Sequence, residues 1–472
     1  MQNLATLIEA WADQAGRTAI VCDGAALDYA QLHARIGHWR RQLQVEGIAP
    51  GACIAMRGQV SGDMIGLLFA LIENANIVVP FLSASDFEVD EALETACVDG
   101  VFEFANDGSN RYVDCGYGRS HPLLDRLRGG AGEDGEAGLI LFTSGSTGKN
   151  KAAVHRFSRL IRNVLQKPGA AYRTLIFLMF DHIGGVNTLL HVLCNGGTAV
   201  FVSDRSVATV CHAIESQRVQ LLPTTPTFLN MLLISDKRQA YDLSSLELVT
   251  YGTEPMSLAT LKALNKALPG VRCKQTYGLT EVGILPSRSE DAGSTWMQVG
   301  GQSYETRIVD GILWIRTDAA MIGYLNAPSP FDQDGWLNTR DKVEERDGYL
   351  RILGRESEII NVGGEKVYPS EIENLILQVE NISEVLVSAK ASALTGYLVF
   401  ATVQLIEPEP AAEVERRVRA HCRAHLPPFK VPVGVKVSED PMFGARFKKI
   451  RRPARAAQGE LINAIREPAS AE

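Results

Sequence analysis

LFTSGSTGKNKAAVH, Leu141 to His155, follows an apolar run with a loop of small residues, hydroxyls and lysines. Gly145 and Gly148 let the backbone bend close to an anion, Thr143, Ser144, Ser146 and Thr147 carry hydroxyl donors, and Lys149 and Lys151 add positive charge. This is the composition of a nucleotide-phosphate loop. It is not a Walker A loop. That pattern needs four residues between its glycines and a Ser or Thr after its lysine, whereas two residues separate Gly145 from Gly148 and Asn150 follows Lys149. A flexible polar turn has the same ingredients, so the loop alone leaves both readings open.

Two further constellations lie downstream. TYGLTE, Thr276 to Glu281, preceded by YGTEP at Tyr251 to Pro255, puts a flat aromatic, a hydroxyl and a carboxylate within a few residues. Such a set can stack on a base, bind a phosphate oxygen and hold Mg²⁺, which prefers hard oxygen ligands and substrate phosphates. WLNTRD, Trp336 to Asp341, is followed by DGYLRILGRESEIINVGGEKVYPSEIE from Asp347 to Glu373. Asp347-Gly348 is a hairpin signal, Gly363-Gly364 a tight loop, and Pro369 opens an amphipathic helix from its first turn.

In this order and spacing the segments resemble the adenylate-forming superfamily, which contains acyl- and aryl-CoA synthetases, adenylation domains of nonribosomal peptide synthetases, and luciferases. The resemblance runs from LDYAQLHARIGHWRRQL and GIAPGACIAM to the basic segment near the C-terminus. The residues themselves point to ATP and Mg²⁺. The resemblance adds activation of a carboxylate as an acyl-adenylate, followed by transfer to a thiol. It implies that Thr143, Ser144, Gly145, Ser146, Thr147, Gly148 and Lys151 cradle the β- and γ-phosphates, that Thr280 contacts the α-phosphate and that Glu281 holds the metal. Tyr277, followed by Gly278, would stack on adenine, with the backbone of Gly252, Thr253 and Glu254 at its other edge. Asp341 would accept from the ribose hydroxyls, Arg355 would contact ribose or phosphate, and Ser357 would be the hinge.

The resemblance also requires a lysine able to reach both the carboxylate and the α-phosphate. Its counterpart is PMFGARFKKIRRP, Pro441 to Pro453, which departs from the family pattern. Aligning Lys-Ile-x-Arg puts Lys449 in the catalytic position and Lys448 where glycine is expected, so Lys449 is the first choice and Lys448 the second. A solvated basic tail is the bland alternative. Further departures are Arg340 where glycine usually precedes the ribose-binding aspartate, Asn150 in place of a proline, and Ser357 in place of Asp or Lys at the hinge.

Substrate choice is read from FDHIGGVNTLLHVLCNGG, Phe180 to Gly197. His182 falls where the family places a gating aromatic or histidine, and a histidine capping the following helix fits equally well. Amino-acid-activating members place an aspartate next, to pair with the α-ammonium group. This chain has Ile183, with Asp181 expected to face differently and Gly184 and Gly185 to leave room. An ammonium without a counter-ion in an apolar pocket costs several kcal/mol, so an acyl or aryl acid without an α-amino group is expected. Gly363 and Gly364 resemble the loop lining a pantetheine tunnel, which serves CoA or the arm of a separate acyl carrier protein. CoA is favoured.

With 472 residues, 46% apolar, the chain can bury a large core and divide into domains. Short apolar runs such as GTAVFV, VQLLPTT and LELVTYG alternate with helix-like stretches, the rhythm of α/β layers with parallel strands. We expect a large multi-layer N-terminal domain over residues 1–354, joined by a hinge to a small α+β domain over 355–472. Ser83 to Glu136 is the least regular part. A net charge of −8 argues against nucleic acid as partner. The N-terminus has no basic region before an apolar core, no run of 18 apolar residues occurs, and the eight cysteines form no CxxC pair, so a cytoplasmic protein without a membrane span is expected. A P-loop kinase is disfavoured by the glycine spacing. An amino-acid-activating enzyme and a non-catalytic nucleotide-binding relative remain as alternatives.

Overall fold

The computed structural model describes residues 2–82, 89–105, 107–129, 135–144, 150–166, 168–301, 303–392, 395–444 and 447–450. Two seven-stranded sheets form the bulk of the molecule. In the first, strands run in the order Arg272–Gln275, Leu248–Tyr251, Leu221–Thr224, Arg173–Leu175, Thr198–Phe201, Thr18–Cys22 and Ala25–Asp28. All neighbours are parallel except the last pair. The second sheet has a parallel centre of Gly138–Ser144, Ile77–Phe81, Cys53–Gly58 and Gly100–Phe104, flanked antiparallel by Asn150–Arg156 and then Gly323–Tyr324 on one side and by Asn110–Asp114 on the other.

Period-two alternation explains why these strands are apolar on both sides. Along Cys53–Gly58, Ile54 and Met56 join the largest core cluster, while Cys53 and Ala55 join a separate one on the opposite face. The helix Gly62–Glu73 is buried nearly all round, capped by Ser61 Oγ accepting from the Met64 amide. Its Gly66 lets the helix Tyr29–Val45 approach, since a Cβ there would stand 3.1 Å from Arg35 Cβ and from Trp39 Cδ1.

The least regular stretch of sequence is more ordered than its composition suggests. It holds the helices Val89–Thr95 and Pro122–Arg128 and the strands Gly100–Phe104 and Asn110–Asp114. The parallel rhythm also stops earlier than expected. Ser287 to Arg355 builds a six-stranded antiparallel sheet, in which Leu337–Arg346 and Tyr349–Arg355 are joined by Asp347 and Gly348, both at positive φ (51° and 75°), the backbone a two-residue hairpin needs. After the short 3₁₀ turn Glu356–Glu358 comes a five-stranded sheet with its own apolar cluster, covered by the helices Pro369–Ile376 and Ala411–His425. Among the described residues no helix is long and apolar enough to cross a membrane. None of the eight cysteines is bonded to another.

His155 lies in the strand Asn150–Arg156 with 1% of its surface exposed, and neither ring nitrogen has a hydrogen-bond partner among the described residues. Burial pushes its pKa down to about 4 from 6.5. Between these values the unfolded chain binds a proton that the folded chain refuses, so the stability present above pH 6.5 is lost as pH falls towards 4. Each pH unit in that window removes up to roughly 1.4 kcal/mol. Urea unfolding at pH 7 and pH 5 should show a smaller acid loss in His155→Leu than in the wild type, and equal losses would remove His155 from the account.

Candidate active site

The parallel strands of the first sheet end on one side in loops that carry most of the motif residues. Leu248–Tyr251 runs into Gly252, Thr253 and Glu254, Arg272–Gln275 into Thr276 and Tyr277, and Leu221–Thr224 into Thr225. Carboxyl ends of parallel strands are where α/β sheets open a crevice. Here a cleft with a cavity of about 240 Å³ is lined by Thr143, His182, Ile183, Thr253, Glu254, Tyr277, Gly278, Thr280, Glu281, Asp341, Arg355, Lys448 and Lys449, among others.

Local geometry explains several of these residue types. A Cβ on Gly252 would stand 2.6 Å from Thr276 Oγ1 and 2.7 Å from Thr276 O, so glycine alone fits where the two strand ends converge. Thr253 next to it sits at φ +72°, unusual for a β-branched residue and a form of strain that clusters at functional sites. Arg340 sits at φ +59°, the backbone position that explains a glycine preference there; its amide is held by Asn338 Oδ1 at 2.9 Å.

Asp341 is 5% exposed and ties three elements together. Tyr277 Oη donates to its Oδ2 at 2.5 Å, and Arg355 Nε lies 3.3 Å from Oδ1. Burial raises the Asp341 pKa, opposed chiefly by the Arg355 charge. Burial and then Asp341 raise that of Tyr277, which stays a phenol and a donor.

Glu281 accepts from Tyr324 Oη, whose pKa is raised by burial and by Glu281. The Tyr324 ring lies under Lys151 Nζ at 5.2 Å. Gly323–Tyr324 pairs with Ala153 and Val154, while Asn326 receives the Ala152 amide at 3.0 Å and donates to Asn150 O at 2.8 Å. Sequence reading missed this clamp on the strand Asn150–Arg156. Nothing local marks Tyr324 or Asn326, which reach that strand only through the fold. Gly145, Ser146, Thr147, Gly148 and Lys149 lie outside the described residues, as do the side chain of Ser144 and the basic run from Arg451.

His182 caps the helix Ile183–Cys194, its Nδ1 accepting from the Gly184 amide at 3.0 Å, and it also lines the cleft. That bond leaves Nε2 to carry the proton of the neutral ring. Two expectations change here. Gly184 and Gly185 do not open pocket space: a Cβ on Gly185 would stand 1.9 Å from Met179 O, so the helix start is packed against the preceding backbone. Asp181, expected to face differently, lines the cleft too.

The two adjacent lysines have separate surroundings. Lys449 Nζ reaches Glu384 Oε1 at 2.9 Å, Val385 O at 2.9 Å and Glu373 Oε2 at 3.4 Å, all on the small lobe. Three acceptors match the three protons of an ammonium. Lys448 instead stands among Arg355, Glu254, Glu358 and Asp341. Solvent reaches its side chain in the open cleft, but protein crowds it; that burial, and then the Arg355 charge, lower its pKa against the opposing carboxylates. Gly363 and Gly364 form an exposed turn that does not line the cleft, and Ser357 sits exposed in the 3₁₀ turn before it.

Comparison with known proteins gives a consistent set. Residues 7–325 match the family described as AMP-binding enzyme, and residues 371–443 its C-terminal domain. An indoleacetate–CoA ligase of Aromatoleum aromaticum is 28% identical over 439 residues, covering 83% of this chain and 86% of its own. A medium/long-chain-fatty-acid–acyl-carrier-protein ligase of Mycobacterium tuberculosis is 27% identical over 495 residues, with 89% and 88% covered. The solved structure of an anthranilate CoA ligase in complex with anthranoyl-AMP superposes with a TM-score of 0.81 at 19% identity, covering 97% of this chain and 96% of that one, a likeness of fold.

Gly252→Ala should displace Thr276 and Tyr277 and destabilise the protein by about 1–3 kcal/mol, the usual cost of overpacking. Urea unfolding together with ATP titration calorimetry reads both effects; a variant with wild-type stability and affinity would show that the contact yields.

Proposed function

The chain belongs to the AMP-binding enzyme family, and on that premise we propose how its cleft serves ATP-dependent activation of a carboxylic acid and transfer to a thiol. The reaction is that of an AMP-forming acid–thiol ligase, with CoA or a carrier protein as acceptor. In the first half, a carboxylate oxygen forms a bond to the α-phosphorus of ATP, the bond from that phosphorus to the β-bridging oxygen breaks, and pyrophosphate leaves with the electron pair. In the second half, the thiol sulfur bonds to the acyl carbon, the acyl–phosphate C–O bond breaks, AMP leaves, and the thiol proton passes to solvent.

The difficulty of the first half is charge, since an anion must approach a polyanion. Fixed cations and donors aimed at the phosphorus are the remedy. The observation that carries the proposal is that Lys448 and Arg355 stand in one cleft with Asp341, Tyr277 and Thr280 at the carboxyl ends of parallel strands. We assign to Lys448, rather than Lys449, the contact with the carboxylate and α-phosphate, because the Lys449 ammonium is already met by three acceptors. Asp341 takes the ribose hydroxyls on its remaining lone pairs, Tyr277 and the backbone at Thr253 flank the base, and Thr280 donates to the α-phosphate.

Mg²⁺ fits the donor set as a companion of the phosphates. No group of three or more His, Cys, Asp or Glu among the described residues forms a metal cage, whereas one carboxylate plus phosphate oxygens is its usual setting. Glu281 is that carboxylate, oriented by Tyr324. When bound, the ion neutralises phosphate charge.

Ile183 at the cleft wall supports an acid without an α-amino group, and of the two acceptors found among the relatives CoA is the one proposed. The Gly363–Gly364 turn meets the thiol arm once the small lobe turns about Ser357. Pyrophosphate release across fatty, aryl, hydroxy and amino acids, with no acceptor, CoA or holo carrier protein, tests this. Turnover of a non-amino acid with CoA is expected; an amino acid as best substrate would bring Asp181 forward, and turnover with holo carrier protein alone would replace CoA.

Lys448→Ala should lower acid-dependent pyrophosphate release by about 10²–10³-fold, the scale of one electrostatic donor. With Lys448 as the cation, wild-type activity falls on the alkaline side, because the ammonium is lost as pH rises. Lys448→Arg should move that limb upward. A limb that stays in place would return the role to Lys449.

A further inference from the structure

Lys448 is flanked by two residues that hold opposite sides of the cleft. On its C-terminal side Lys449 is bound to Glu373 and Glu384 of the small lobe. On its N-terminal side the Phe447 ring enters an aromatic seat on the large lobe, 5.1 Å from Phe177 and 5.6 Å from Phe228 between centroids, with Phe443 stacked at 5.6 Å. The Arg205 guanidinium lies over both Phe447 and Phe177, at 5.5 and 5.8 Å. Thr225 Oγ1, on a fully buried residue, donates to Phe447 O at 2.8 Å. The Lys449 amide lies 3.4 Å from Glu254 Oε2.

Phe447 adopts φ +51°, a left-handed backbone that a phenylalanine rarely takes and that persists where surrounding contacts enforce it. The segment closes on itself as well: the Phe447 amide donates to Gly444 O at 2.9 Å and the Gly444 amide to Lys448 O at 3.0 Å. The aromatic seat and the twisted backbone together fix the direction in which the Lys448 side chain leaves the chain.

We propose that Phe447 is a positioning residue: seated against Phe177, Phe228 and Arg205, it holds Lys448 in the cleft for the acyl-adenylate-forming half of the reaction. This rests on the assignment of Lys448 as the cation of the first half. Phe447 touches no reacting atom and acts through Lys448. The first half, in which the new oxygen–phosphorus bond displaces pyrophosphate, needs the seat occupied. The second half, in which sulfur displaces AMP from the acyl carbon, does not.

The test separates the halves. With octanoate or benzoate, whichever the wild type turns over, Phe447→Ala should lower the kcat for pyrophosphate release at least tenfold. Thioester formation from the matching synthetic acyl-adenylate and CoA should stay within about twofold of wild type, and Phe447→Tyr should restore most of the first half. Hydrogen exchange is read without any acid, so it decides the seat even where the proposed reaction fails: the amides of Phe447 to Ile450 should exchange faster in Phe447→Ala while both seven-stranded sheets keep their protection. Equal losses in both halves, wild-type pyrophosphate release, or unchanged exchange at these amides would overturn the proposal. Lys448→Ala run alongside shows whether a failure belongs to the seat or to the lysine assignment.

Discussion

The carboxylate of Asp341 is almost out of water at the point where three parts of the molecule meet. A buried carboxylate without partners costs several kcal/mol, and this one is compensated by the Tyr277 phenol and the Arg355 guanidinium. Tyr277 opens the short strand Tyr277–Leu279 just after a strand of the first sheet, Asp341 comes from the six-stranded sheet, and Arg355 is the last residue of that sheet before the turn leading to the small lobe. Satisfying one charge therefore fixes the strand end from which the turn to the small lobe leaves.

The two lysines show how identical neighbours acquire different work. Lys449 answers two buried carboxylates, Glu373 and Glu384, which would otherwise sit close together in a dry place. Removing one partner from such a group is strongly destabilising, so the lysine is held. Lys448, one residue earlier, is left facing Arg355 in the cleft. Repulsion from Arg355 there is offset by Glu254, Glu358 and Asp341.

Some of the strained backbone of the chain lies at the same place. Thr253, Arg340 and Phe447 all take positive φ, each within or next to the cleft and each pinned by a neighbour: Gly252 against Thr276, Asn338 on the Arg340 amide, Thr225 on the Phe447 carbonyl. The apolar layers beneath, from Trp11, Trp39 and Phe69 in the large cluster to Phe177 and Phe228 in its neighbour, supply the rigidity that keeps such conformations occupied.

Much of this was legible in the residues. The run into Thr143 and the TYGLTE segment carry their chemistry locally, hydroxyls and glycines suited to an anion and an aromatic beside a carboxylate, whereas Asp341 stood out only through the resemblance. Apolar strand-length runs alternating with helical ones announced the parallel sheets, and Asp347-Gly348 and Pro369 marked a hairpin and a helix start through backbone chemistry alone. The antiparallel sheet from Ser287 was not legible, since its short half-buried strands carry weak alternation. Tyr324, Asn326, Arg205 and Phe447 were silent for a different reason: each matters through partners far away in the chain. What sequence determined by itself was the local chemistry of each segment and the layer rhythm that carries it. Only the tertiary structure decided that the Lys449 ammonium is met by Glu373 and Glu384 and that Asp181 lines the cleft, because those choices depend on which distant carboxylates and rings the fold brings within a few ångströms.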